Sequence, residues 1–133
     1  MPQPAALRPA AIGLVLAGGA VGTAAREAVV LLVPSIGGLP LAILLINLAG
    51  AFVLGALLEA LQRRGPDEGR RRLLRLALGT GFCGGFTTYS TLAVGVAVPL
   101  TTGAGGLAVG YGLGSVLLGA VAAWLGVLVG SRR

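Results

Sequence analysis

The chain has few of the side chains that catalytic sites use most often. It contains no histidine, one cysteine and only four acidic residues among 133. A single cysteine forms no disulfide within one chain, and no CxxC pair or histidine cluster offers ligands for a zinc or redox centre. The sequence also has no nucleophile beside a base, no paired carboxylates and no phosphate-binding loop. We therefore predict that the protein is not an enzyme.

Charged residues are scarce as well. They make up 11% of the chain, whereas 56% is hydrophobic, which is typical of a membrane protein. Ten basic residues against four acidic ones give a net charge of +6, which in a soluble protein would suggest a nucleic-acid partner. Here the arginines lie between and beside apolar runs, so we predict that the partner surface is a lipid bilayer, with no nucleic acid.

Four apolar segments are each long enough to cross a bilayer, which takes about 20 residues per crossing. They cover about residues 10–32, 39–61, 76–98 and 107–129. We therefore predict an all-α membrane protein with one four-helix domain over residues 1–133. Arg8, the apolar run after it and the small residues around Ala24 also fit a secretory signal peptide. The three later spans favour a first helix that is retained.

The third segment contains an unusual stretch, GTGFCGGFTTYSTLAVG, from Gly79 to Gly95. Each glycine inside a helix costs about 1 kcal/mol relative to alanine, and the hydroxyl run offers the backbone competing partners. We predict that the third helix is broken here. A break within the bilayer must be buried in protein or face a watery cavity, and such places often bind ions. The alternative is that the glycines only allow close helix packing.

Apart from Glu27 and Glu59 near the ends of their spans, the polar side chains within the spans can donate hydrogen bonds. The candidates among them are Arg26, Asn47, Thr87, Thr88, Tyr89, Ser90, Thr91, Tyr111 and Ser115. A carboxylate in the middle of a span is missing, which argues against cation binding or proton exchange of the kind that intramembrane Asp or Glu performs. Donors of this kind suit a small anion that is partly dehydrated but not trapped. Arg26 either snorkels to the interface or faces an aqueous vestibule, where its charge concentrates anions.

Four motifs, one in each span, resemble the Fluc (CrcB-type) fluoride channels. They are GGAVGTAAR up to Arg26, NLAGAFVLG from Asn47, GGFTTYSTL from Gly84 and YGLGS from Tyr111. The resemblance implies a passive, fluoride-selective channel built as an antiparallel dimer of four-helix subunits. It also implies two pores and a structural sodium ion at the dimer centre.

The resemblance further implies roles for particular residues. Asn47 matches the pore amide, Tyr111 and Ser115 match part of a polar track, and Arg26 matches the vestibule arginine. The backbone carbonyls of Gly84 and Thr87 match the sodium ligands. The remaining pore candidates are the hydroxyl-bearing side chains of the third span: Thr88, Tyr89, Ser90 and Thr91.

The sequence also departs from the family pattern at several positions. Tyr89 and Leu92 stand where the family has two phenylalanines, and Ile43 replaces a threonine. Gly119 replaces a serine, and Glu27 replaces an aromatic residue after the arginine. These departures leave open whether both pores of a homodimer conduct.

The arginines are distributed very unevenly over the two sides of the membrane. With four crossings, nine fall on the side that holds both termini: Arg8, Arg63, Arg64, Arg70, Arg71, Arg72, Arg75, Arg132 and Arg133. The two opposite loops contain neither Lys nor Arg, so we predict a prokaryotic inner-membrane protein with both termini in the cytoplasm. An antiparallel dimer then requires a homologous chain of opposite orientation, which favours a heterodimer. The alternative is that the arginines bind anionic lipid while enough copies still insert inverted.

Two other functions stay open at this point. One is a four-helix, proton-coupled exporter of small multidrug or metabolite substrates, which needs a central carboxylate where the first span has only Glu27 near its end. The other is a structural membrane subunit without a pore.

Overall fold

The computed structural model describes residues 9–132, and this part of the chain is helical apart from short connections. The helical elements are α1 (Pro9–Leu32), α2 (Leu41–Arg63), α3 (Gly69–Leu74), a π-helical segment π1 (Arg75–Cys83), α4 (Gly84–Phe86), α5 (Ser90–Thr101) and α6 (Gly105–Gly130). Four stretches are long and apolar enough to cross a membrane: Pro9–Leu32, Leu41–Arg63, Gly69–Thr101 and Gly105–Gly130. The predicted all-α architecture with four apolar spans is thereby confirmed. Arg8 and Arg133 lie outside the described residues.

The third crossing begins earlier than the hydropathy pattern predicts. We predicted a hydrophilic loop up to residue 75 and a span from about residue 76, whereas the helix starts at Gly69. Its first turns are polar, and hydrogen bonds stabilise them. The Arg71 N–H donates to the Glu68 carbonyl, and Arg75 donates two hydrogen bonds to the carboxylate of Asp67. Hydropathy detects only the apolar part of a helix, so a polar first turn of this kind falls outside the predicted span.

Helix α5 extends further than the sequence suggests. We interpreted residues 99–106 as a turn, yet the helix continues through Pro99 to Thr101. A proline lacks the N–H that a helix needs, and within membranes neighbouring hydroxyl groups often compensate. The hydroxyls of Thr101 and Thr102 both donate to the Val98 carbonyl, at 2.9 and 3.1 Å. These bonds cap the last turn of the helix; they do not replace the N–H that Pro99 lacks, whose helical acceptor would be the Gly95 carbonyl.

Helix α1 packs against π1 and α4 through direct contact of main-chain atoms. A Cβ atom added at Gly18 would collide with the carbonyl oxygen of Ala77, and one added at Gly22 would collide with that of Phe82. A Cβ added at Gly85 would collide with the backbone of α1. Only glycine permits so close an approach, and small residues at helix contacts are typical of membrane proteins. Gly18 and Gly22 of the first span therefore serve packing.

Helices α2 and α6 form the second closely packed pair. A Cβ added at Gly126 would collide with the Phe52 carbonyl oxygen, and one added at Gly55 would approach the Ala123 carbonyl oxygen. The bundle is thus built from two glycine-mediated helix pairs.

The short connection between α1 and α2 is a tight turn. In it Gly37 and Gly38 both adopt positive φ, at 60° and 79°.

The buried core is small, and large apolar side chains cover the outside. The core cluster consists of Ala42, Ile43 and Ile46, of which Ile46 is 1% exposed. By contrast, Leu16 and Leu31 are 68% and 78% exposed. Apolar surface of this extent on four long helices needs a lipid environment. The chain is a multi-pass membrane protein.

Candidate functional site

The third crossing contains a short non-helical segment between α4 and α5. Helix α4 ends at Phe86, α5 begins at Ser90, and Thr87 between them is extended, with φ −77° and ψ 157°. The N–H and the hydroxyl of Thr87 both donate to the Cys83 carbonyl, at 3.0 and 2.8 Å. These two bonds complete the last helical turn before the chain changes direction. We call residues 87–89 the interruption.

Asn47 on α2 binds the backbone of the interruption. Its Nδ2 donates to the Thr88 carbonyl at 3.0 Å, and its Oδ1 accepts the Thr88 N–H at 2.9 Å. The two bonds need a donor and an acceptor on one side chain, which an amide supplies. They also fix which way the amide points and leave one of its two N–H groups for another acceptor. The Asn47 carboxamide is therefore held by the interruption itself.

Several backbone carbonyls lose their usual helical donors at this point, among them those of Gly84 and Thr87. In a continuous helix the Gly84 carbonyl would accept the Thr88 N–H, but that N–H donates to Asn47 instead. Likewise the Thr87 carbonyl would accept the Thr91 N–H, which lies 3.5 Å from the Thr88 hydroxyl oxygen instead. The carbonyls of Gly84 and Thr87 are thus the two whose helical donors are taken by side chains.

Three hydroxyl groups cluster where α5 begins. The Thr88 oxygen lies 3.2 Å from that of Ser90 and 3.4 Å from that of Thr91. Each hydroxyl carries one hydrogen, so three hydrogens are shared between two contacts. One hydrogen of the cluster is left to donate to a bound acceptor.

An open groove of about 520 Å³, the central groove, runs along α2, the third crossing and α6. It is lined by Asn47, Gly50, Ala51, Leu54, Gly79, Thr80, Cys83, Gly84, Thr87, Thr88, Tyr89, Leu92, Ser115, Val116 and Gly119. Gly84 has open space beside it, with nothing within 4 Å of an added Cβ. None of the lining side chains is acidic, and no three His, Cys, Asp or Glu come together anywhere in residues 9–132. A cation bound here would therefore be held by neutral oxygens, either of the backbone or of the hydroxyl and amide side chains that line the groove.

A second groove, of about 380 Å³, lies on the other side of the interruption, and we call it the Arg26 groove. Arg26 and Glu27 line it from α1, opposite the hydroxyl-bearing Thr88, Ser90 and Thr91. Arg26 is half-buried and Glu27 is exposed. The arginine charge thus shares a cavity with the hydroxyl cluster. Thr88 lines both grooves and so stands between them.

The fourth-span candidates and Tyr89 occupy different places. The Tyr111 hydroxyl donates to the Pro40 carbonyl at 3.2 Å, and its ring lies beside Gly95, away from the central groove. Ser115 lines that groove, but its hydroxyl hydrogen is donated to the Tyr111 carbonyl at 2.6 Å. Tyr89 lines the groove and is 81% exposed. Of these three, only the Tyr89 hydroxyl makes no hydrogen bond within the described chain.

Two of the departures from the family pattern lie together. Ile43 belongs to the buried cluster, and Leu92 packs against that cluster while also lining the central groove. Where the family pattern has a hydroxyl at position 43 and an aromatic ring at position 92, this chain has an apolar contact between Leu92 and the cluster that contains Ile43. Gly119 lines the same groove, and an added Cβ there meets nothing within 4 Å. Leu92 and Gly119 therefore give the central groove no polar side chain at these two positions, while Ile43 lines the groove on the other side of the interruption.

Sequence reasoning missed two residues that take part in the site. The Thr23 hydroxyl donates to the Gly85 carbonyl at 3.4 Å and so occupies another oxygen near the interruption. Thr80 lines the central groove one turn before Gly84. Thr23 stands within the GGAVGTAAR motif, so a polar residue in a glycine-rich packing stretch was the available signal. Thr80 carried no signal that set it apart from the glycines around it.

These features define a small multi-pass membrane protein whose hydrogen-bond donors gather at an interruption of one crossing. The chain belongs to the CrcB family, since the family model described as "CrcB-like protein, Camphor Resistance (CrcB)" matches residues 13–127. It is 47% identical over 121 residues to "Fluoride-specific ion channel FluC 2" of Leifsonia xyli subsp. xyli, covering 89% of this chain and 81% of that protein.

Two other relatives carry names of the same kind. "Fluoride-specific ion channel FluC 1" of Cutibacterium acnes is 47% identical over 119 residues, covering 89% of this chain and 83% of the relative. "Fluoride-specific ion channel FluC" of Deinococcus radiodurans is 44% identical over 120 residues, covering 86% of this chain and 90% of that protein. The relatives are thus named as ion channels and not as enzymes.

Proposed function

We propose that the chain is a subunit of a passive, fluoride-selective channel that exports fluoride from the cytoplasm. The observation that carries the proposal is the position of Thr88, which lines both grooves, is held by Asn47 and belongs to the hydroxyl cluster. A small anion crossing between the grooves would meet the spare hydroxyl hydrogen and the spare Asn47 N–H. Neutral donors of this kind replace hydration without trapping an ion. The names of the relatives support fluoride as that anion.

Arg26 has a different part in this proposal. Its guanidinium shares a groove with Thr88 and Ser90, where a fixed positive charge raises the local concentration of anions. Tyr89 and Thr91 add donors at the edges of the two grooves. In this proposal Tyr111 and Ser115 do not donate to the anion, because backbone carbonyls accept both hydroxyl hydrogens.

We further propose that the interruption is a functional break at the centre of an antiparallel dimer, where it holds a structural sodium ion. The carbonyls of Gly84 and Thr87 fit this role because side chains take their helical donors and because both residues line the open central groove. Carbonyl oxygens suit a hard cation, and a two-fold axis would double the two oxygens to four. The sodium would hold the two subunits in register.

The partner we propose is a homologous chain of opposite orientation. Of the nine arginines on one side, seven lie within the described residues, while the connections 33–40 and 102–104 contain none. This bias favours one orientation, with both termini in the cytoplasm. A heterodimer then supplies the inverted subunit. The partner chain would also carry aromatic or hydroxyl side chains at the pore positions that Leu92, Ile43 and Gly119 occupy in this chain.

Anion efflux from liposomes tests the proposed function. The chain is reconstituted alone and together with a homologous chain of opposite charge bias, and fluoride and chloride efflux are recorded side by side. We expect fluoride efflux without chloride efflux, greatest when both chains are present. Efflux that requires a proton gradient would support the exporter instead, and no efflux under either condition would contradict the channel.

A further inference from the structure

A third groove, of about 530 Å³, lies at the end of α2 and the start of the third crossing, remote from the interruption. Leu58 and Leu61 of α2 form an apolar wall, and Arg71 and Arg75 form a basic one. Gln62 and the connecting-turn residues Gly65, Pro66 and Asp67 also line it. We call this the Arg71 groove. It combines an apolar and a cationic surface at the edge of the membrane-spanning bundle.

The charges in this groove are not all balanced. Arg75 donates from Nε and Nη2 to the Asp67 carboxylate, at 2.9 and 2.7 Å. Hydrogen bonding from Arg75 holds the pKa of Asp67 below its ordinary value. The carboxylate therefore stays ionised, and the charge of Arg75 balances it. Arg71 instead donates its Nε to the Pro66 carbonyl at 2.8 Å and forms no ion pair within residues 9–132. Its guanidinium is positioned by the turn, and its charge is left for a ligand.

The surroundings of the groove define the chemistry of that ligand. Leu58 is 39% exposed and belongs to the apolar span Leu41–Arg63, so the groove continues onto the lipid-facing surface. The flanking segment also carries Arg64, Arg70 and Arg72, which increases the positive potential. A ligand that fits both walls has an anionic head and an apolar tail. Basic residues just outside an apolar span attract anionic lipid headgroups.

We propose that the Arg71 groove binds one anionic phospholipid, with its phosphate at the Arg71 guanidinium and an acyl chain along Leu58. Arginine favours this contact because its planar guanidinium donates two parallel hydrogen bonds to a phosphate. The site does not depend on fluoride conduction or on the identity of the dimer partner. The bound lipid would fill the space between the end of α2 and the first turns of the third crossing.

Native mass spectrometry of the purified protein in a neutral detergent tests the proposal. The protein is titrated with phosphatidylglycerol and, separately, with phosphatidylcholine that has the same acyl chains. We expect one phosphatidylglycerol to be retained more strongly than phosphatidylcholine. Arg71→Gln should weaken that retention by about fivefold, as expected for one arginine close to an anionic lipid. Arg70→Gln is the matched control, because it removes the same charge from the neighbouring residue, which does not line the groove.

Three outcomes would overturn the proposal. Equal retention of the two lipids would show that the headgroup charge is not recognised. Equal losses in Arg71→Gln and Arg70→Gln would show a diffuse effect of charge without a groove. Inorganic phosphate that displaces the lipid at a similar concentration would identify a free-anion site. Leu58→Gln gives a second arm that leaves every charge in place. It should also weaken phosphatidylglycerol retention, and unchanged retention in this variant would contradict the place of the acyl chain.

Discussion

Asn47 and Thr88 hold each other through two hydrogen bonds, from Nδ2 to the Thr88 carbonyl at 3.0 Å and from the Thr88 N–H to Oδ1 at 2.9 Å. The residues are 41 positions apart, so the pair fastens the interruption of the third crossing to α2. Hydrogen bonds between membrane helices contribute only about 0.6 kcal/mol on average. The pair therefore matters more for the position of the interruption than for the stability of the bundle.

Asn47→Asp is expected to abolish fluoride efflux while the protein still assembles. An aspartate can accept the Thr88 N–H but cannot donate to its carbonyl, and it places a negative charge beside the proposed anion path. Because the lost bonds are individually weak, the variant should elute from size-exclusion chromatography like the parent. Liposome efflux measures the loss, with Asn47→Ala as the neutral control that removes both bonds. Parent-like efflux from Asn47→Asp would exclude Asn47 from the path.

Gly85→Leu is expected to damage the proposed cation site far more than Thr87→Val. A side chain at Gly85 would collide with the backbone of α1, whereas the Thr87 hydroxyl donates to Cys83 and is not itself a proposed ligand. Thr87→Val loses one hydrogen bond, a cost of about 1 kcal/mol. The sodium dependence of thermal unfolding of the purified dimer measures the difference. Equal loss of that dependence in both variants, or in neither, would argue against carbonyl ligands at this place.

Glu27→Gln is expected to increase fluoride efflux by several-fold at low ionic strength. Glu27 shares the Arg26 groove with the hydroxyl cluster, so its negative charge opposes the attraction of anions by Arg26. Added salt should reduce the effect, because exposed charges are screened over about 10 Å at 0.1 M. Glu59→Gln is the matched control, since Glu59 pairs with Arg63 and lines neither groove beside the interruption. Lower efflux from Glu27→Gln would show that the carboxylate assists conduction.

The orientation of the chain is tested by cysteine labelling. In a Cys83→Ser background, a cysteine placed at the exposed Thr102 is expected to react only with reagent added outside the cell. A second variant, Glu68→Cys, places the label in the arginine-rich connection and should react only from the cytoplasmic side. Substantial labelling of the Thr102 variant from the cytoplasm, with fluoride efflux in the absence of any partner chain, would contradict the heterodimer.

The sequence was sufficient for the four apolar spans because lipid selects for long apolar runs that hydropathy detects directly. It was less informative at helix ends. Arg75 pairs with Asp67 just before the early start at Gly69, and threonine hydroxyls cap the helix that continues through Pro99. Such contacts form only after the chain has folded, so composition alone did not reveal them.

At the site, residue types were predictable but their partners were not. Asn47 was the only carboxamide within the four predicted spans, yet nothing in the sequence pointed to Thr88 as its partner. Tyr111 and Ser115 are spaced to lie on one helical face, but their hydroxyl hydrogens are donated to carbonyls. Whether a hydroxyl is available to a ligand depends on which acceptor lies closest, and long-range packing decides that.

The glycine contacts of α1 also determine where this family member tolerates sequence change. Gly18 and Gly22 bring main-chain atoms of α1 against Ala77 and Phe82, so the height of the interruption relative to α1 is independent of side-chain rotamers. Outward-facing positions such as Leu16 can therefore vary with the thickness or composition of the membrane without moving the interruption. A single extra methyl group at either glycine, by contrast, would displace the whole crossing. Substitutions on the exposed face of α1 can therefore accumulate in evolution without changing the positions of the polar residues at the interruption.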